Sequence, residues 1–125
     1  MGINGVSQTN TRLEELQRQA LEDSVRWFGD IPASQTLAHH LLGLGGEVGE
    51  LMNVYKKIER GSLNPHNPAV ITQLRMETTD IFVYLLNIAM LLGFDLDQMN
   101  QVVRAQNEAR FMKQRQERDA ARVRG

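Results

Sequence analysis

The chain has no cysteine, which excludes disulfides, thiolate nucleophiles and cysteine-ligated metals and makes a reducing, cytoplasmic setting the expectation. It has almost no net charge, −1 over 125 residues, so no general attraction to nucleic acid or anionic lipid is expected. Long apolar runs are also missing. The densest, Ile81 to Leu92, is too short to span a bilayer. The opening MGINGVSQTN lacks the basic start and apolar stretch of a signal peptide and fits a myristoylation pattern poorly. There are no internal repeats, no low-complexity tract and no alternation typical of strands.

What is present reads as one domain of ordinary globular composition, 42% hydrophobic and 23% charged. Thr11 with Glu14 forms a capping box that opens a helix carrying Leu13, Leu16, Ala20 and Val25 to about Trp27. After GDIPAS, Ser34 is the expected cap of a second helix, which ends at Gly61 with Lys56, Lys57 and Arg60 near its C-terminus. GSLNPHNP reads as a loop, and Asn67 before Pro68 starts a third helix that stops at Gly93. Asp95 caps a fourth, carrying Leu96, Met99, Val102, Val103 and Phe111. From about residue 114 the polar QRQERDAARVRG predicts a frayed or disordered tail. The expected fold is therefore all-α, a four-helix bundle-like subunit. Within it IFVYLLNIAMLL is apolar on nearly every side, which predicts that the third helix also packs against a second subunit.

At about 100° per residue, Leu37, Leu41, Leu44, Val48, Leu51, Tyr55 and Ile58 form one apolar stripe on the second helix. His39, Gly43, Gly46, Glu47, Glu50, Val54 and Lys57 form a strip along its flank. The third helix repeats the pattern: Leu74, Ile81, Leu85, Ile88 and Leu92 form the stripe, and Glu77, Asp80, Tyr84 and Asn87 the flank. Antiparallel packing would gather four carboxylates, a cluster that persists only with compensating cations, protons or strong pairing. Hard oxygen donors suit Mg²⁺, with Mn²⁺ as a substitute. Four of the ten glycines fall in GLGGEVGE, residues 43 to 50, beside the first acid pair. Each costs roughly 0.5–1 kcal/mol inside a helix, so close approach of backbone or ligand is expected in return. A dinucleotide-binding fingerprint is excluded by the helical context and the glycine spacing.

The E-x-x-E of Glu47 and Glu50, followed by the E-x-x-D of Glu77 and Asp80, resembles the MazG-like superfamily of all-α nucleoside triphosphate pyrophosphohydrolases. HHLLGLGGEVGELMNVYKKIERG is similar to the family's glycine-and-glutamate helix, METTDIFVYLLNIAMLLGFDL to its acidic and apolar one, and AQNEARF to its C-terminal segment. The resemblance implies Mg²⁺-dependent cleavage of a nucleoside triphosphate to monophosphate and pyrophosphate, in a dimer or tetramer. It implies that Glu47, Glu50, Glu77 and Asp80 hold metal, one of them also orienting or deprotonating the attacking water. Lys57 and Arg110 are the candidate phosphate contacts; Trp27, His39, Tyr84 and Asn107 are the candidates for base or sugar. The chain departs from the family pattern at Met76, where an acid is frequent, and at Ala109 and Arg110, where a lysine is frequent. A canonical deoxynucleotide, a damaged one and a nucleotide-like metabolite stay open as substrates.

Each candidate also has a plain structural role: acids at i and i+3 on a solvated face, Lys57 beside a helix C-terminus, Tyr84 and Trp27 in packing, His39 as an ordinary polar side chain. A di-iron carboxylate bundle is disfavoured because it wants E-x-x-H, which neither pair supplies. A non-catalytic helical oligomerisation or regulatory module is the alternative to an enzyme.

Overall fold

The computed structural model describes residues 11–29 and 36–125, which form four helices and no strands: α1 (Arg12–Phe28), α2 (Leu37–Glu59), α3 (Pro68–Leu92) and α4 (Leu96–Arg124). No single helix is long and apolar enough to cross a membrane.

Local chemistry sets the boundaries. The Thr11 hydroxyl accepts from Glu14 N at 3.0 Å, while Thr11 N donates to Glu14 Oε2 at 2.9 Å, the reciprocal capping box expected at the head of α1. Thr36 caps α2 by accepting from His39 N at 3.1 Å; the expected cap, Ser34, lies outside the described residues. Asn67 and Asp95 cap α3 and α4, accepting from Ala69 N and Asp97 N. At Gly93 φ is +72°, the left-handed value that lets α3 stop within one residue.

Helix α2 pairs along α3, α1 packs on α3, and α4 meets α1. Between α3 and α4 the chain bends by 97°. Gln17 holds this corner from α1: its Nε2 donates to Phe94 O at 2.9 Å and its Oε1 accepts from Leu96 N at 2.9 Å. Gln17 is thus buried with its amide satisfied, at the point where the backbone leaves one helix and has not begun the next.

The core is small. Ala20, Val54, Val70, Leu86, Ile88 and Ala89 are its buried apolar residues, joined by the polar Gln17, Ser24, His40 and Asn87. Helix α2 turns inward the seam between its stripe and its flank: Leu37, Leu44, Val48, Leu51 and Ile58 of the stripe and Gly43 and Glu47 of the flank are half-buried and Val54 is buried, while Leu41 and Tyr55 are exposed. On α3, Leu85 and Leu92 of the stripe are exposed, but Ile88 is buried and Leu74 and Ile81 are half-buried; on the flank Asn87 is buried, Glu77 and Tyr84 are half-buried and Asp80 is exposed. Parts of the two acid-bearing flanks therefore meet beside the stripes, Gly43 against Tyr84 and Glu47 near Glu77 and Asp80, and Leu41, Tyr55, Leu85 and Leu92 are left outward.

Helix α4 runs unbroken to Arg124, replacing the frayed or disordered tail expected from about residue 114. No residue along its 29 is buried. An Arg115–Asp119 ion pair one turn apart supports this stretch, alongside residues of good intrinsic helix propensity such as Gln, Glu, Arg and Ala.

Candidate metal centre and adjoining cavity

Because the flanks meet, Glu47 from α2 comes together with Glu77 and Asp80 from α3. One carboxylate oxygen from each lies within 4.8 Å of the other two. Ligand oxygens on one Mg²⁺ stand at most about 4.2 Å apart, so a fraction of an ångström separates this arrangement from a shared ion. Glu47 Oε2 and Glu77 Oε2 are buried and meet no donor. Facing acids have none to offer unless a proton sits between them.

That electrostatic conflict appears in the Glu47 carboxyl, which is raised to about 7. Loss of hydration is the largest cause; a side-chain hydrogen bond with Glu77, available to the protonated form, comes next, followed by the charges of Glu50, Asp80 and Glu77. The donor set is all carboxylate oxygen, one atom from each of three residues within 4.8 Å of the others. It fits a hard divalent cation, Mg²⁺ or Mn²⁺.

Glu50 is not in the group. It is exposed, near enough to Glu47 to raise its carboxyl but not to join the three convergent oxygens. The expected cluster of four is a cluster of three with a fourth acid beside it.

A cavity of about 270 Å³ opens next to the acids, between α1, α2 and α3. Glu47 and Asp80 form part of its wall, with Trp27, His39 and Tyr84, three of the residues expected to meet base or sugar. The Tyr84 and His40 rings pack edge-on, centroids 6.0 Å apart. Trp27 is exposed, its ring 5.7 Å from the Arg26 guanidinium.

The other candidates are not brought here. Lys57 is exposed and lies ten residues beyond Glu47 on α2, about 15 Å along the axis. Arg110 donates to Asn107 Oδ1 at 3.3 Å and stacks 4.4 Å from the Phe111 ring, on a stretch of α4 that does not line this cavity. The sequence reading missed Ser24 and Phe28, which α1 contributes to the wall, and assigned no role to Asn87, which also lines it. A polar amide within IFVYLLNIAMLL, seven residues after Asp80 on the acid strip, was the available signal.

No family model, curated protein or solved structure matches the chain.

Proposed function

We propose that this chain is a Mg²⁺-dependent nucleoside triphosphate pyrophosphohydrolase of the MazG-like all-α kind, cleaving a nucleotide to its monophosphate and pyrophosphate in cytoplasmic nucleotide-pool housecleaning. The observation that carries the reading is the convergence of Glu47, Glu77 and Asp80 to within 4.8 Å at the mouth of a cavity walled by Trp27, His39 and Tyr84. Acids that attract divalent ions sit beside rings that can hold a base, as polyphosphate chemistry on a nucleotide requires.

Glu47, Glu77 and Asp80 would hold the metal. When bound, Mg²⁺ neutralises charge on the phosphate oxygens and acidifies water. Glu50, exposed and outside the group, is the carboxylate free to take a proton from an attacking water at its side-chain oxygens. Tyr84 and Trp27 border the space for sugar and base, and partial enclosure by α1 limits competing water there.

A second copy belongs to the same proposal. Leu41, Leu42, Met52 and Tyr55 on α2 and Leu85 and Leu92 on α3 are exposed, a density of outward apolar side chains that an isolated domain seldom tolerates. Association through these faces into a homodimer or homotetramer would cover them. Lys57, Asn107 and Arg110 keep their roles as substrate contacts only where that assembly brings them to the cavity.

The test is pyrophosphate release from a panel of nucleotides with Mg²⁺, for wild type, Glu47→Gln and Glu77→Gln. Turnover in wild type should fall in both variants by more than the roughly 10–100-fold typical of losing an outer-shell partner of a metal. A folded protein that hydrolyses no nucleotide would favour a non-catalytic helical module.

A further inference from the structure

The Asn87 amide is a buried polar group on the cavity wall. Asn87 is 4% exposed. Its Nδ2 donates to Val83 O, one turn back, at 3.3 Å. That bond settles which end of the amide is committed, because a helix carbonyl can only accept. The remaining atom, Oδ1, is buried and has no donor. An orphaned buried acceptor costs stability, so its retention on a cavity wall indicates a donor that arrives with a ligand.

Position narrows the ligand. Asp80, Tyr84 and Asn87 follow one another along α3 on the same cavity wall, and seven residues from Asp80 to Asn87 advance about 10 Å. Phosphate at the acids, sugar against Tyr84 and a base edge at Asn87 is the order in which a nucleotide would lie along that line. At about 270 Å³ the cavity falls just below the usual range for small-molecule sites, roughly 300–1,000 Å³. A single ring attached to its sugar suits that space better than a fused double ring.

Resting on the reading of the site as a nucleotide pocket, we propose that Asn87 is a specificity-determining residue: its Oδ1 accepts from an N–H on the edge of a single-ring base and selects pyrimidine nucleotides that carry that donor. The class includes a cytosine-type exocyclic amine and a uracil-type imide. A site built around a hydrogen bond rejects an analogue lacking the partner because its own group is then left unpaired.

The lone tryptophan, Trp27, lines the same cavity and supplies a binding signal independent of turnover. Cytidine and uridine triphosphates would be titrated against Trp27 fluorescence in Mg²⁺. Beside them would go two analogues without the donor, one lacking the cytosine amine and one methylated on the uracil imide nitrogen. Pyrophosphate release would be followed in parallel. At least one natural pyrimidine should bind roughly tenfold or more tightly than its donor-less analogue, and Asn87→Ala should erase the difference. The wild-type comparison alone decides the matter if the variant does not fold. Equal affinity for natural and donor-less rings, or tighter binding of purines, overturns the role of Asn87 while leaving hydrolysis intact. Donor-dependent binding without turnover keeps it and removes the enzymatic reading. Absence of nucleotide binding removes both.

Discussion

The ring of Tyr84 on α3 occupies the space where a side chain at Gly43 on α2 would begin. A Cβ at position 43 would lie 2.5 Å from Tyr84 Cζ and 2.7 Å from its hydroxyl oxygen. Gly45, Gly46 and Gly49 have nothing within 4 Å of the same point. One glycine of the four is therefore needed for contact, and it lets the acid-bearing flank of α2 approach α3. Alanine at 43 should gain about 0.5–1 kcal/mol of helix propensity but lose about 1–3 kcal/mol to overpacking. Gly43→Ala is predicted to lower stability in urea titration, whereas Gly45→Ala and Gly49→Ala raise it by up to about 1 kcal/mol each.

Gln17→Ala should leave Phe94 O and Leu96 N without their partner at the α3–α4 corner. Two broken bonds to partly buried backbone groups predict a loss of about 2–4 kcal/mol. Gln17→Glu keeps the acceptor for Leu96 N and loses the donor to Phe94 O, so it should fall between wild type and alanine in the same urea titration.

The raised Glu47 carboxyl fixes the sign of a pH effect. Its folded value is about 7 against an ordinary 4.5, so between those values the folded state holds a proton that the unfolded chain has released. Its contribution to stability is fully present below pH 4.5 and is lost as pH rises through about 7. In EDTA, the melting temperature of wild type should therefore carry a declining component across that window, which Glu47→Gln removes.

Mg²⁺ should reverse that loss at neutral pH, since a cation that binds only the folded state stabilises by mass action, about 2.7 kcal/mol at 100 times its Kd. Calorimetry in two buffers of different ionisation heat should also register proton release on binding, because the ligand carboxylates must be ionised. A melting temperature indifferent to Mg²⁺ in wild type, or equally responsive in Glu77→Gln, would remove the metal centre.

Sedimentation should find wild type larger than one chain, with Leu42→Glu or Met52→Lys shifting it toward monomer. These side chains are 78% and 65% exposed in the single chain, so replacing them costs little within it.

Helix ends were readable from the sequence because their causes lie within a few residues. Thr11 with Glu14, Asn67 with Pro68, Gly93 and Asp95 each act on backbone groups next to them, and each is found at the helix end it marked. Helical spacing also sufficed to place Glu47, Glu77, Asp80 and Tyr84 on flanking strips. It could not reveal that α2 would roll far enough to bury Val54 and bring Glu47 in while leaving Leu41 and Tyr55 outside. Most of the leucine stripe does face inward, as periodicity assigns, but the exact roll of a helix about its axis is set by its neighbour and not by spacing.

By itself, then, the sequence determined four capped helices and two strips of acid, since hydrogen bonds and rotation per residue are local. Only the tertiary structure decided that three carboxylates converge while Glu50 stands aside, and that Lys57, Asn107 and Arg110 lie away from the cavity. It also decided that Asn87 lines the cavity and that its side-chain oxygen is buried without a donor. Those outcomes depend on how closely two helices approach and about which axis they roll, which packing between residues distant in the chain, Gly43 against Tyr84 first among them, decides.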